Sequence, residues 1–236
     1  VASSLKVVGI QPLVSEQQWL PILENACEWT PPRKPTLVIS PHPDDETLGA
    51  GGLIAWQALC GVPVTVAAVT DGEAAYPNFP GLAQIRRVEQ QQAVEALGAQ
   101  VSIVRLGIPD SAVQSHEAEL ETRLRPLIAK DTLVIAPWKN DWHPDHEACA
   151  RAAEKLCHEA GAELISYVFW TWHRRTPEIF DGVALRRFEL SAELAAAKRA
   201  ALACHVSQLQ DRLLNDEPIL PRLLLAPALR TFETYV

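Results

Sequence analysis

Thr36-Leu37-Val38-Ile39-Ser40 is a short apolar run that ends abruptly on Pro41-His42-Pro43-Asp44-Asp45-Glu46-Thr47-Leu48-Gly49-Ala50-Gly51-Gly52. Such a run, closed off by proline, reads as a strand buried on both sides. Downstream of it, strand and helix patterns alternate. Further strands are expected at 63–69, 101–106, 132–136, 164–170 and 185–190, and helices at 48–60, 82–97, 116–129, 145–160 and 192–209. Strands alternating with helices imply parallel pairing. The expected fold class is therefore α/β, a Rossmann-like three-layer sandwich with a mostly parallel sheet and helices on both faces. Gly98 stands where a helix C-cap glycine belongs, just before the strand at 101–106.

The flanks read differently. Ser15-Glu16-Gln17-Gln18 fits a capping box for a short helix running to about Glu28, and Pro31, Pro32 and Pro35 break it. Residues 1–34 are thus expected to form an N-terminal arm and 35–236 a single domain. The tail from Asp216, rich in Leu and Pro, is expected to pack on that domain's surface. The absence of methionine suggests that the numbering begins inside a longer product.

Composition narrows the partners. The net charge of −8 disfavours nucleic acid and anionic membranes. No window approaches the roughly 18 apolar residues of a spanning helix. Cys27, Cys60, Cys149, Cys157 and Cys204 are odd in number and lack C-x-x-C spacing, which favours a reducing, cytoplasmic setting over a disulfide framework. A homo-oligomer is compatible with all of this.

The polar residues after the first strand carry the chemistry. In open α/β sheets, ligands bind outside the carboxyl ends of the strands. His42, Asp44 and Asp45 sit on such a turn, and one aspartate can hold a metal while the other faces water at that metal. The plainer alternative is an Asp or Thr cap for the following helix. A second cluster, His143-Pro144-Asp145-His146, follows Leu133–Ala136 and is preceded by Trp138, Asp141 and Trp142. Pro144 suits the first position of a helix. Two histidines there can supply one metal ligand and one acid–base or electrophilic group. Acids complementing the helix dipole are the plainer alternative. Together the clusters offer two His and one Asp with a coordination position left open. Such a donor set suits catalytic Zn²⁺, and also admits Fe²⁺ or another divalent ion. That chemistry hydrolyses an amide or ester without a covalent intermediate.

Weaker signals surround these. Gly49, Gly51 and Gly52 have G-x-G-G spacing, which reads as close helix packing rather than a phosphate loop. Asp71 and Glu73 lie on the same sheet edge and read equally as sugar-hydroxyl or ligand-orienting groups and as a solvated loop. Trp170-Thr171-Trp172-His173 can offer aromatic faces and a polar contact to a sugar, with core packing and a surface His as the alternative. Asp110 reads as a turn residue. Lys198, Arg199 and His205 read as a polar helix face.

HPDDE-x-LG-x-GG and HPDH together resemble the PIG-L/LmbE-like de-N-acetylases, zinc hydrolases that deacylate N-acylglucosamine-type sugars. The resemblance runs from about 36 to 210 and takes in Thr70-Asp71-Gly72-Glu73, Arg86-Arg87-Val88-Glu89, and Lys198 through Gln208. It implies His42, Asp45 and His146 as zinc ligands and Asp44 as general base. It implies His143 as the group that stabilises the oxyanion or assists the leaving amine. Arg86 matches a position lining the substrate site, with Arg87 as the neighbouring choice. Asp145 and Asp141 are expected to stand behind the ligands and orient them. Some members carry Tyr where this chain has Asp141, and an anion cannot stabilise an oxyanion, so that task falls to His143 or elsewhere. The implied function is metal-dependent removal of an N-acyl, most simply acetyl, group from a small amino-sugar conjugate. The alternatives are an amidase acting on a thiol-sugar conjugate and a non-catalytic sugar- or nucleotide-binding module. Specificity is expected in the loops at 74–82, 107–116 and 171–184.

Overall fold

A computed structural model describes residues 11–76, 78–210 and 218–236. Its strands are β1 (Cys27–Glu28), β2 (Thr36–Ser40), β3 (Val64–Ala68), β4 (Val101–Arg105), β5 (Leu133–Pro137), β6 (Glu163–Tyr167), β7 (Arg186–Glu189) and β8 (Phe232–Tyr235). They form one sheet in the order β1-β7-β8-β6-β5-β2-β3-β4. All pairings are parallel except those of β8 with β6 and β7.

The central strands are covered on both faces, which is why they read as unbroken apolar runs. In β2, Leu37 and Ile39 pack with Val134, Ala136 and Leu120, while Val38 packs on the opposite side with Leu53, Val66 and Ile135. That alternation is the pleat of the strand. One face is covered by α2 (Asp45–Leu59), α3 (Leu82–Leu97) and α6 (Ala192–Ala203), the other by α4 (Glu117–Leu124) and α5 (Pro144–Ala160). Burying a side chain such as Leu53 or Ile135 fully stabilises the fold by about 2 kcal/mol.

Strand β2 sits between β3 and β5, so the chain winds outward through β3 and β4, then returns to start again at β5. This reversal opens a crevice at the carboxyl ends of β2 and β5. The two polar turns of the sequence follow those two strands.

Four local outcomes depart from the sequence expectations. The helix expected at 192–209 is interrupted at Cys204–His205 and resumes as the short α7 (Val206–Leu209). Helix α2 begins at Asp45 and is kinked at Ala50, whose φ of −142° is non-helical. The tail does more than lie on the surface: β8 inserts between β6 and β7, with Tyr235 wholly buried. The arm is tied in as well. Helix α1 (Glu16–Glu24) buries Trp19 and Leu23 against Trp172 and Phe180, and β1 pairs with β7. Part of the expected arm (1–10) and part of the tail (211–217) lie outside the described residues.

Candidate active site

Each polar turn is shaped by its own sequence. After β2, the Asp44 carbonyl accepts from Thr47 N (2.9 Å) and Leu48 N (2.8 Å), which opens α2. Asp44 itself holds φ at 146°, a conformation an L residue rarely adopts. After β5, Pro144 occupies the first turn of α5, and His143 Nδ1 accepts from Asp145 N at 3.3 Å as its cap. Trp142 and Ser111, both with positive φ, flank the same region. Strain gathered at one place is typical of a functional site.

Asp45 Oδ2 is the hub. It lies 3.1 Å from His42 Nδ1 and 3.1 Å from His146 Nε2. His146 Nε2 is buried and makes no hydrogen bond, so its approach to Asp45 lacks hydrogen-bond geometry. The other nitrogen, His146 Nδ1, lies 2.8 Å from Asp141 Oδ2, with both side chains fully buried. Asp141 thereby directs the Nε2 lone pair away from itself and toward Asp45 and His42. Burial works against the imidazolium form of His146, but Asp45 and Asp141 outweigh it and hold the pKa up at about 9, so a divalent ion would bind Nε2 by displacing its proton. A buried Nε2 without a hydrogen-bond partner, facing a carboxylate and a second imidazole, fits a divalent cation that takes the place of its proton. A second set, His42, His143 and Asp145, also brings ligand atoms within 4.8 Å of one another.

Beside the hub, Asp44 Oδ2 accepts from Arg86 Nη2 at 3.1 Å. The Arg86 guanidinium is fixed by Gly72 O (3.0 Å) and Pro43 O (2.9 Å). Burial pushes the Asp44 carboxyl up to about 8, against the pull of Arg86. Across the pocket, burial and the neighbouring His42 and His146 hold His143 down at about 3. His143 is therefore neutral, and because Nδ1 accepts the Asp145 N–H, its proton sits on Nε2.

Asp110 completes the polar wall and, with Asp145, flanks His42 Nε2. Asp145 Oδ2 lies 3.3 Å from His42 Nε2 and accepts from Ser111 N (2.9 Å), while its Oδ1 accepts from Val113 N (3.1 Å). Asp110 Oδ1 lies 3.4 Å from the same His42 Nε2 and its Oδ2 accepts from Ala74 N. Asp110 does lie in a turn, across which Ala112 N donates to Pro109 O at 3.2 Å, and that turn also brings its carboxylate into the pocket. Its position after β4, on the same sheet edge as the motifs, was the signal for its role.

Other sequence candidates fall elsewhere. Asp71 is paired to Arg87 and lies 3.5 Å from Arg105, and it does not line the pocket. Arg86, not Arg87, reaches the site. His173 is neither a surface residue nor a pocket residue. It is buried, its Nε2 has no hydrogen-bond partner, and it borders a separate cavity with Leu13, Trp19 and Leu223. Burial, with Arg230 and Arg174 nearby, holds it down at about 3. Lys198 and His205, expected on a polar face, are buried, with Lys198 bonded to Glu233 at 2.7 Å. The third acid of the motif, Glu46, turns into the sheet, where Ser40 Oγ (2.7 Å) and Gln90 Nε2 (3.0 Å) hold it. The glycines pack as expected: a Cβ at Gly49 would strike the Tyr167 ring, and one at Gly52 would strike Leu190. No phosphate cradle forms there. Of the three loops expected to set specificity, the first two contribute Ala74, Ala75, Asp110 and Ser111 to the pocket, but 171–184 contributes nothing. Phe169, Trp170, Gln208, Ile219 and Leu220 take its place.

The chain and its fold are similar to those of known proteins. Over 202 residues the chain is 28% identical to the Probable N-acetyl-alpha-D-glucosaminyl L-malate deacetylase 2 of Bacillus subtilis (strain 168), covering 78% of this chain and 90% of that one. The structure of the A40926 pseudoaglycone deacetylase Dbv21 is similar in fold, with a TM-score of 0.67 at 23% identity over 86% of this chain and 96% of that one. The zinc-inhibited form of teicoplanin deacetylase Orf2 has a TM-score of 0.62 at 21% identity, covering 85% and 96%. The pattern of one family, PIG-L or GlcNAc-PI de-N-acetylase, matches residues 37–157, the stretch that carries both polar turns. With more than half of its length inside that match, the chain belongs to the PIG-L family of deacetylases.

Proposed function

We propose that this chain is a metal-dependent hydrolase that removes an N-acyl group, most simply acetyl, from a small amino-sugar conjugate. The observation that carries the reading is the buried His146 Nε2, without a hydrogen bond and facing Asp45 Oδ2 and His42 Nδ1, with Asp44 at their side. The relative from Bacillus subtilis is named for an N-acetylglucosaminyl conjugate, which supports an amino sugar as the substrate class.

His42, Asp45 and His146 would hold the cation. A divalent ion there acidifies water, polarises an amide carbonyl and keeps neighbouring carboxylates ionised. Asp44, steered by Arg86, takes the proton from the attacking water and returns it to the leaving nitrogen. His143 donates from Nε2 to the oxyanion as the carbonyl becomes tetrahedral. This gives the oxyanion its donor although Asp141 stands where some relatives have Tyr. Asp141 serves His146 instead. The unpaired cysteines, Cys27 exposed among them, support a reducing, cytoplasmic setting. No helix among the described residues is long and apolar enough to cross a membrane.

The test is metal analysis of the purified protein, followed by an assay for free amine over a panel of N-acetylglucosamine conjugates with Zn²⁺, Fe²⁺ and Mn²⁺ added in turn. One ion per chain, with acetate and amine released in equal amounts, is expected. Protein that binds no divalent ion, or releases no amine with any of them, would overturn the proposal. Zinc should be titrated, since a related deacetylase is described in a zinc-inhibited form.

A further inference from the structure

The pocket has two walls of opposite chemistry. Facing the histidines and carboxylates are Leu48 at the start of α2, Phe169 and Trp170 after β6, and Ile219 and Leu220 from the C-terminal segment. All five are buried and belong to one packed apolar cluster. The wall is held by backbone bonds: Leu220 N donates to Gln208 O at 3.0 Å, and Ile219 N donates to Tyr76 Oη at 3.2 Å. Trp170 stacks on His143, with ring centroids 6.0 Å apart and planes at 27°. An apolar surface so tied is formed before any ligand arrives, so binding does not have to order it.

Beyond the residues that would hold the cation, the polar wall offers an anion no free partner. It carries Asp44, Asp45 and Asp110, and Arg86 is the lone Arg or Lys among the described lining residues. Its guanidinium is already engaged by Asp44, Pro43 and Gly72. Away from the residues that would hold the cation, a carboxylate on the group flanking the amide would find no free guanidinium or ammonium among the described lining residues, which selects against it there.

We infer that the group flanking the scissile amide is uncharged and apolar, either an acyl chain longer than acetyl or a hydrocarbon-bearing aglycone. The inference rests on the hydrolase reading above and names its substrate class. The hydrocarbon lies on the Leu48–Trp170–Ile219–Leu220 wall while the amide faces Asp44 and His143. Each methylene laid on that wall gains about fourfold in kcat/KM until the wall is covered.

Two substrate series decide it. One lengthens the acyl chain of methyl glucosaminide from acetyl to octanoyl. The other keeps acetyl and lengthens the aglycone from methyl to octyl, with a carboxymethyl aglycone alongside. One series is expected to climb, and the one that climbs shows which side of the amide meets the wall. Ile219→Ser should lower the long-to-short ratio about fivefold, a ratio taken within one protein and so independent of how much of it folds. Turnover that is flat in both series, or fastest on the carboxymethyl aglycone, overturns this inference and leaves the hydrolase reading standing. Calorimetry with the amine products, octyl against methyl glucosaminide, reads the wall without turnover. Tighter binding of the octyl compound supports the inference. If no substrate in either series turns over with any of the divalent ions, the hydrolase reading falls and this inference falls with it.

Discussion

Helix α2 touches two clusters of buried charge, and they obey opposite rules. At its start, Asp44 is strained, and His146 Nε2 is buried with no hydrogen bond. At its kink, everything is matched. Glu233 accepts from Gly52 N (2.7 Å), Leu53 N (2.9 Å), Lys198 Nζ (2.7 Å) and Tyr235 Oη (2.7 Å), and Lys198 also donates to Leu48 O (3.0 Å). The kink at Ala50 frees backbone N–H groups in mid-helix, and a carboxylate is the natural partner for such a new helix start. Matched polar groups fix a shape, whereas groups left short of partners are held ready for a ligand.

The strongest way to break this contrast is Asp44→Asn. It should lower kcat by at least about 100-fold, with the metal content unchanged and the melting temperature equal or higher. If the variant unfolds instead, Asp44 belongs with the structural cluster. At the other cluster, Lys198→Met should destabilise by about 3–5 kcal/mol in urea unfolding, because it strands a buried carboxylate. Adding Glu233→Gln should recover part of that loss. A fall in kcat with unfolding free energy intact would erase the distinction from the other side.

Asp141 tests the border between the two. Its Oδ2 faces His146, while its Oδ1 accepts from Phe169 N (3.0 Å) and Thr171 N (3.0 Å). In Asp141→Asn the oxygen can still serve the loop, but the amide donates to His146 Nδ1 and moves the ring proton to Nε2. Metal affinity should drop by about 10–100-fold, measured by competition with a chelator. Unchanged affinity would mean that His146 is not oriented this way. At neutral pH the smallest effect is expected at His173, outside both clusters. Burial holds its folded pKa at about 3, so the unfolded chain takes up a proton near pH 6.5 that the folded one refuses. Its stabilising effect is therefore complete above pH 6.5 and is lost as pH falls toward 3. His173→Gln should reduce the slope of unfolding free energy over that window by up to about 1.4 kcal/mol per pH unit. An unaltered slope would show that His173 is not kept neutral.

The sequence announces the site wherever its residues are close along the chain. His42, Asp44 and Asp45 lie on one turn, His143, Asp145 and His146 on another, and the strand before each marks the sheet edge. Asp110 was hidden because Pro109-Asp110 has the chemistry of a turn, and only the pairing of β3 with β4 brings it to His42. Ile219 and Leu220 carry no local pattern. They join the pocket through bonds to Gln208 and Tyr76, contacts that no periodicity encodes. The core strands were legible because burial on both faces leaves an apolar run. Strand β8 was not, since Phe232-Glu233-Thr234-Tyr235 mixes a buried ion pair into its alternation and follows a proline-rich stretch.

That strand also sets a timetable. On the ribosome, β6 and β7 emerge well before β8, yet β8 is what joins them. Until it is made, both strands offer open edges to neighbouring nascent chains, and the kink in α2 lacks its carboxylate. The two polar turns thus reach their final support only when translation has passed Tyr235. Chains stalled before Phe232 should aggregate or recruit chaperones, which sedimentation of ribosome-bound intermediates would reveal. Stalled chains that stay dispersed without chaperones would show that β6 and β7 are shielded by other means.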